Sequence, residues 1–100
     1  MRKEFITPKT LARAAKTLRV LAHPIRLHII EQLKTRKRSV GELAATLGLQ
    51  QAVVSKHLAL LKSAGVLASQ TDCNFRHYSL ANTKVLDVLN CIKKSCQKED

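Results

Sequence analysis

The chain of 100 residues contains no tryptophan, one tyrosine and two phenylalanines. So few aromatic side chains argue against recognition of single strands, which stacks unpaired bases on aromatic platforms. Acids are scarce as well: seven Asp and Glu stand against eighteen Lys and Arg, a formal net charge of +11. Carboxylates this sparse do not supply the pairs of acid–base catalysis. With neither a glycine-rich phosphate loop nor a nucleophile elbow in the chain, an enzyme is not expected. The three cysteines, Cys73, Cys91 and Cys96, are odd in number and lack the CxxC pairs of a zinc finger, so no structural disulfide framework is expected. No apolar stretch approaches a membrane span, and the charged, Pro-interrupted start MRKEFITPK is unlike a signal peptide; a cytoplasmic protein with no membrane partner is expected. What remains is a cationic surplus, which points to a polyanionic partner, nucleic acid before an acidic membrane surface, and double-stranded DNA best of all. The length suits one domain, residues 1–100, with a core modest enough that a partner subunit would help to stabilise it.

The most informative stretch is SVGELAATLGLQQAVVSKHLALLKSAG, Ser39 to Gly65. Ser39 and Glu42 have the S-x-x-E spacing of a capping box, in which each side chain satisfies a backbone donor that a helix start leaves orphaned. Val40, Leu43, Ala44 and Leu47 then recur with helical period, and Gly48 is suited to a left-handed C-terminal stop. A second helix is predicted from about Gln50 to Ala64, with Gly65 as terminator, which makes the pair a helix-turn-helix. At about 100° per residue, Val53, Val54, His57, Leu58, Leu60, Leu61 and Ala64 fall on one side of it. Gln51, Ala52, Ser55, Lys56, Ala59, Lys62 and Ser63 fall on the other, without a carboxylate. That face suits a DNA major groove: amides read adenine edges, lysines reach guanine or phosphate, and small residues permit close approach. It is equally the composition of an ordinary solvated face.

Before this unit, Thr7-Pro8 is an N-cap followed by proline at the first helical position, predicting a helix to about Leu21 with an apolar stripe of Leu11, Ala14, Ala15, Leu18, Leu21 and Ala22. His23-Pro24 restarts the chain, and Ile25, Leu27, Ile29, Ile30 and Leu33 predict a second, nearly buried helix at the centre of the core. Thr35 to Arg38 is a basic connector; Arg38 either touches the phosphate backbone or lies in a solvated linker. After Gly65, Val66 to Gln70 and Phe75 to Leu80 are β-compatible segments around the turn formers of Thr71 to Asn74, predicting a hairpin, the wing of a winged helix. Arg76 near its tip is the candidate for a phosphate or minor-groove contact. Asn82-Thr83 caps a last helix, about 83–97, whose stripe of Val85, Val88, Leu89, Ile92 and Cys96 has no partner in the DNA-reading unit. The first helix, about 8–21, and this last one are therefore expected to form a homodimer surface, while Gln97 to Asp100 should fray. The fold class expected is mainly α with a small β-hairpin, in the order ααααββα.

The runs HPIRLHIIEQL, SVGELAATLGLQQAVVSKHLALLKSAGVL and the hairpin end RHYSL together resemble the ArsR/SmtB family of bacterial winged-helix repressors, over about Leu18 to Val85. Its most specific pieces are P-x-R-L at Pro24 to Leu27, V-S-x-H-L at Val54 to Leu58 and L-x-x-A-G-x-L at Leu61 to Leu67. The resemblance implies a homodimer that binds an inverted repeat in duplex DNA and is released by a ligand or thiol modification, with Gln51, Ser55 and Lys56 facing the bases. The family often has Ser where this chain has Gln50, a weaker N-cap, and Ser or Pro where it has Ala52. The DNA-binding set is therefore Arg38, Gln50, Gln51, Ala52, Ser55, Lys56, Lys62 and Arg76.

The metal and thiol sites that the resemblance implies do not transfer. The cysteine pair of arsenic and cadmium sensors would fall near Ser39 and Gly41; the zinc site of the last helix needs histidines, and residues 83–100 have none. In the sulfide-sensing branch one cysteine lies on the second helix, where Glu31 stands, and its partner within about one residue of Cys96. None of the usual family metal sites is expected, nor a required cofactor. Cys91 and Cys96 lie about 140° apart around a helix and roughly 7–8 Å along it, too far to bridge. Cys96, in the apolar stripe, is core or sensor; Cys91 lies off the stripe, and with Cys73 these are the sensing candidates for an oxidant, polysulfide or soft metal. His57 is either a buried structural histidine or a phosphate contact, and His23, His28 and His77 are too scattered to suggest a ligand set. The rival function is an architectural or non-inducible DNA-binding protein, or a protein-interaction module, without a small-ligand switch.

Overall fold

In the computed structural model, residues 5–96 are described. Thr7 accepts the Thr10 N–H through its hydroxyl at 3.2 Å, and with Pro8 at the first position this starts α1, Pro8–Leu21. The Nδ1 of His23 accepts the Ile25 N–H at 3.1 Å and starts α2, Pro24–Leu33. The capping box forms in full, Glu42 N–H to Ser39 Oγ at 3.1 Å and Ser39 N–H to Glu42 Oε1 at 2.9 Å, and opens α3, Val40–Leu47. Reciprocal satisfaction of this kind stabilises a helix by about 1 kcal/mol. Gly48 turns the chain at φ 70 into α4, Gln51–Ser63, whose N-cap Gln50 makes no side-chain capping bond. The last helix, α5, is Lys84–Cys96, capped by the Asn82 carboxamide oxygen on the Lys84 N–H. The fraying expected of Gln97 to Asp100 lies outside the described residues.

The wing is β2, Leu67–Asp72, and β3, Phe75–Leu80, paired antiparallel from Leu67 opposite Leu80 to Asp72 opposite Phe75. Only Cys73 and Asn74 remain between the strands, at φ 49 and 71. Two positive φ values in a two-residue loop are the signature of a type I′ turn, whose twist matches that of the flanking strands. The connector before α3 is not wholly a linker. Arg38–Ser39 form a short strand, β1, on the outer side of β3, with Arg38 opposite Tyr78 and Ser39 opposite His77. The sheet order is β1-β3-β2, so the expected order of four helices, hairpin and helix gains a strand between α2 and α3.

Ile29 and Ile30 of α2, Leu43 of α3, Val54, Leu58 and Leu61 of α4, and Val66 are fully buried. Ile29 and Ile30 are two of five fully buried leucine or isoleucine side chains, each worth roughly 1.5–3 kcal/mol, and together with the buried Leu33 they put α2 at the centre of the core. Two apolar residues depart from the expected wheel. Val53 and Leu60 are more than a third exposed, because the buried strip of α4 is only as wide as the α2 and α3 surfaces that cover it. Cys96 departs too: it is exposed, not core. The α5 stripe enters the core only through Val85 and Leu89, while Val88 and Ile92 stay outside.

Candidate nucleic-acid interface

Burial of Val54, Leu58 and Leu61 fixes the rotation of α4 and turns the rest of its surface outward. Gln50, Gln51, Ala52, Ser55 and Lys56 are all exposed there, on a helix with no carboxylate. Lys62 is exposed as well, but its ammonium donates to Ser69 Oγ at 2.8 Å and ties α4 to the first strand of the wing. Arg38 is half-buried and turned back: its Nε donates to the Gln32 carbonyl at 2.6 Å and its Nη2 to Thr35 Oγ1 at 3.4 Å. The guanidinium braces the carbonyl end of α2, where helix geometry leaves acceptors unpaired. Beside it, Arg36 pairs with Glu42 at 3.2 Å. The Glu42 carboxylate, held by the Ser39 N–H and by Arg36, stays below its ordinary range.

Arg76 is exposed on β3 opposite Thr71. The fold brings it to the same cleft as Gln51, a space of about 240 Å³ between the wing and the start of the helix-turn-helix, with Gly41 and Phe75 also in its walls. The Gln51 Nε2 lies 3.6 Å from where a Cβ on Gly41 would stand, so a side chain there would meet the carboxamide in ordinary contact. Phe75 was not singled out by any sequence pattern, yet it is 63% exposed at this cleft. Its signal was the position itself, an aromatic in a chain nearly without them, between the turn and Arg76.

The histidines are less scattered than their spacing suggested. His57 is half-buried, its Nδ1 accepts from Arg26 Nε at 3.1 Å, and its ring lies 4.7 Å from that of His23. Burial first, then the neighbouring charges of His23 and Arg26, hold His57 below its ordinary value. All three cysteines are free and exposed, Cys73 at the wing tip and Cys91 and Cys96 on α5. Among the described residues no three His, Cys, Asp or Glu side chains gather as a metal site. No helix among them is long and apolar enough to cross a membrane.

Between α1 and α5 lies an apolar groove of about 240 Å³ with Leu18, Leu21, Val88, Leu89 and Ile92 among its walls. Leu18 is 53% and Ile92 55% exposed. Glu31 on α2 holds Lys93 of α5 at 2.6 Å and Lys34 at 2.8 Å, and hydrogen bonds from the two lysines keep its carboxyl below the ordinary range.

A fold of this kind, with a basic face on its second helix-turn-helix element, is matched by known proteins. The family model described as bacterial regulatory protein, arsR family, covers residues 23–69. An uncharacterized HTH-type transcriptional regulator of Mycobacterium tuberculosis is 40% identical over 81 residues, 80% of this chain and 71% of the relative. The chain belongs to the ArsR family. Another relative in that organism, the HTH-type transcriptional repressor SmtB, is 41% identical over 69 residues, 69% of this chain and 51% of the repressor. Among solved structures, HlyU from Vibrio cholerae superposes with a TM-score of 0.80 at 31% identity, covering 88% of this chain and 96% of its own. This ArsR-family chain is thus a winged helix-turn-helix transcriptional regulator and not an enzyme. The segment that carries the family match runs from His23 to Ser69, which includes the His23, Arg26 and His57 cluster as well as α4.

Proposed function

We propose that this ArsR-family regulator is a cytoplasmic repressor that binds an inverted-repeat operator in duplex DNA as a homodimer, residues 1–100 acting as one domain. The observation that carries the proposal is the shared cleft: Gln51, at the start of the carboxylate-free α4, and the wing's Arg76 line one opening. Gln51, at this cleft, reads a base edge and Arg76 holds the backbone, while along the exposed face of α4 Ala52 and Ser55 permit close approach and Lys56 reaches guanine or phosphate. Gln50 lies at the helix start beside them. Arg38 and Lys62 serve the site by bracing α2 and the wing, given the partners they hold. Repression is supported by the likeness to a named repressor, and dimerisation by the apolar groove between α1 and α5.

The proposal is tested by affinity for a palindromic site from the chain's own promoter against random duplex at one salt concentration. A preference of about a thousandfold or more is expected of a specific regulator. A ratio near unity would leave an architectural DNA protein instead.

A thiol-released switch is favoured by one observation, the exposure of all three cysteines. Cys91 and Cys96 stand on α5, the helix that borders the groove, and to act as a switch their modification must have unequal free energy in the DNA-bound and free dimers. Replacing both by serine is expected to leave operator affinity unchanged and abolish release by polysulfide or oxidant. Release that persists in the double variant moves the sensor to Cys73 or to a ligand outside the thiols.

A further inference from the structure

One polar cluster plays no part in the reading face. It lies where α1, α2 and α4 meet, and its centre is Arg26. Of the carbonyls at the end of α1, that of Leu18 accepts the Ala22 N–H and that of Leu21 the His23 N–H. The Val20 carbonyl is taken by Arg26, whose Nη1 donates to it at 3.0 Å. From the same guanidinium, Nε donates to His57 Nδ1 at 3.1 Å, across 31 residues of chain. One planar group therefore bridges the dimer-side helix and the DNA-reading helix. A lysine cannot reproduce this, since its ammonium is a single point on a flexible stem.

The cluster also fixes a protonation state. An imidazole nitrogen that accepts from a guanidinium must itself be unprotonated, so His57 carries its proton on Nε2. His23 is held in place by its own capping bond, Nδ1 to the Ile25 N–H, and its ring stands tilted at 54° against His57. The charged or titratable groups that face His57 are thus Arg26 and His23, and among the described residues no carboxylate pairs with any of the three. A proton added to His57 Nδ1 would turn an acceptor into a donor pointed at another donor, beside a permanent positive charge.

We propose that Arg26 is a positioning residue of the DNA-reading site, locking α4 against the end of α1 through an unprotonated His57, so that operator binding weakens when His57 takes up a proton. This rests on the DNA-reading proposal above. The direction follows from linkage. His57 is held below its ordinary value of 6.5, so as pH falls the unfolded or unlocked chain binds the proton first. The lock is complete above about pH 6.5 and is lost progressively below it.

The test measures operator and random-DNA affinity of the full chain, at fixed salt, from about pH 5.5 to about 7.5, where phosphates and bases do not titrate but histidine does. Wild type is expected to lose operator preference below about pH 6.5. Arg26→Lys, which keeps the charge but not the bridge, should bind operator about tenfold more weakly at neutral pH, the size of one hydrogen bond to a charged group, with random-DNA affinity within about twofold. His57→Gln keeps an acceptor and cannot titrate; it should bind operator at neutral pH and show a flat pH profile. Should Arg26→Lys fail to fold, the His57→Gln profile decides alone. An equal loss on both DNAs in Arg26→Lys, or a wild-type pH slope in His57→Gln, overturns the proposal while wild-type discrimination stands. A wild-type ratio near unity at every pH removes the DNA-reading proposal and this one with it.

Discussion

Leu18→Glu is expected to leave a folded chain that no longer dimerises and no longer holds its operator. Leu18 is half exposed on α1 at the mouth of the apolar groove, so the isolated chain tolerates a carboxylate there in water. In a two-fold interface the same carboxylate is buried twice, once from each copy. A buried unpaired charge costs several kcal/mol; about 3 kcal/mol per copy would weaken dimerisation roughly ten-thousandfold. Light scattering should report the mass of one chain, with circular dichroism still helical. Leu89 is a poorer choice for this test although it lies on the same stripe, because it is buried in the chain's own core and a charge there would unfold the monomer. A Leu18→Glu protein that still scatters as two chains would place the dimer surface elsewhere.

The second large effect separates reading from holding. Gln51→Ala should lower operator affinity by about 1–3 kcal/mol, the worth of a bidentate amide–adenine pair, while random duplex is bound as before. Arg76→Ala should weaken both DNAs alike and flatten the dependence of log affinity on log salt by about two, one phosphate for each protomer. The contrast matters because both side chains open on one cleft, and on a purely electrostatic surface the uncharged Gln51 could be removed with no effect on either DNA while only Arg76 counted. Operator discrimination that survives Gln51→Ala would show that the wrong face of α4 has been assigned.

The features readable in advance were those written locally. Ser39 with Glu42, Pro8 after Thr7, and Gly48 and Gly65 at positive φ are decided within a few residues by backbone donors and steric freedom. What was hidden depends on distant packing. Arg38–Ser39 is too short to show a strand period, and its partner strand lies far along the chain. Helical angles place Val53 and Leu60 beside the core but cannot say how far α2 and α3 reach to cover them. Cys96 keeps the apolar rhythm of α5 yet lies at its far end, among exposed neighbours. The Arg26–His57 bridge is of the same kind, two ends of one contact standing in separate motifs.

Ser39 belongs to two structures at once. It is the last residue of β1, opposite His77 on the wing, and the N-cap of α3, where the helix-turn-helix begins. A single residue thus serves as the fixed point of a pair of callipers, one arm being the wing and the other the helix-turn-helix, α3 with α4 joined to it through the Gly48 turn. Such an instrument has a set opening. If the chain binds duplex DNA as proposed, a duplex whose shape does not match the distance between the two arms would have to be deformed to fit, and DNA geometry would be gauged mechanically in addition to any base contact of Gln51.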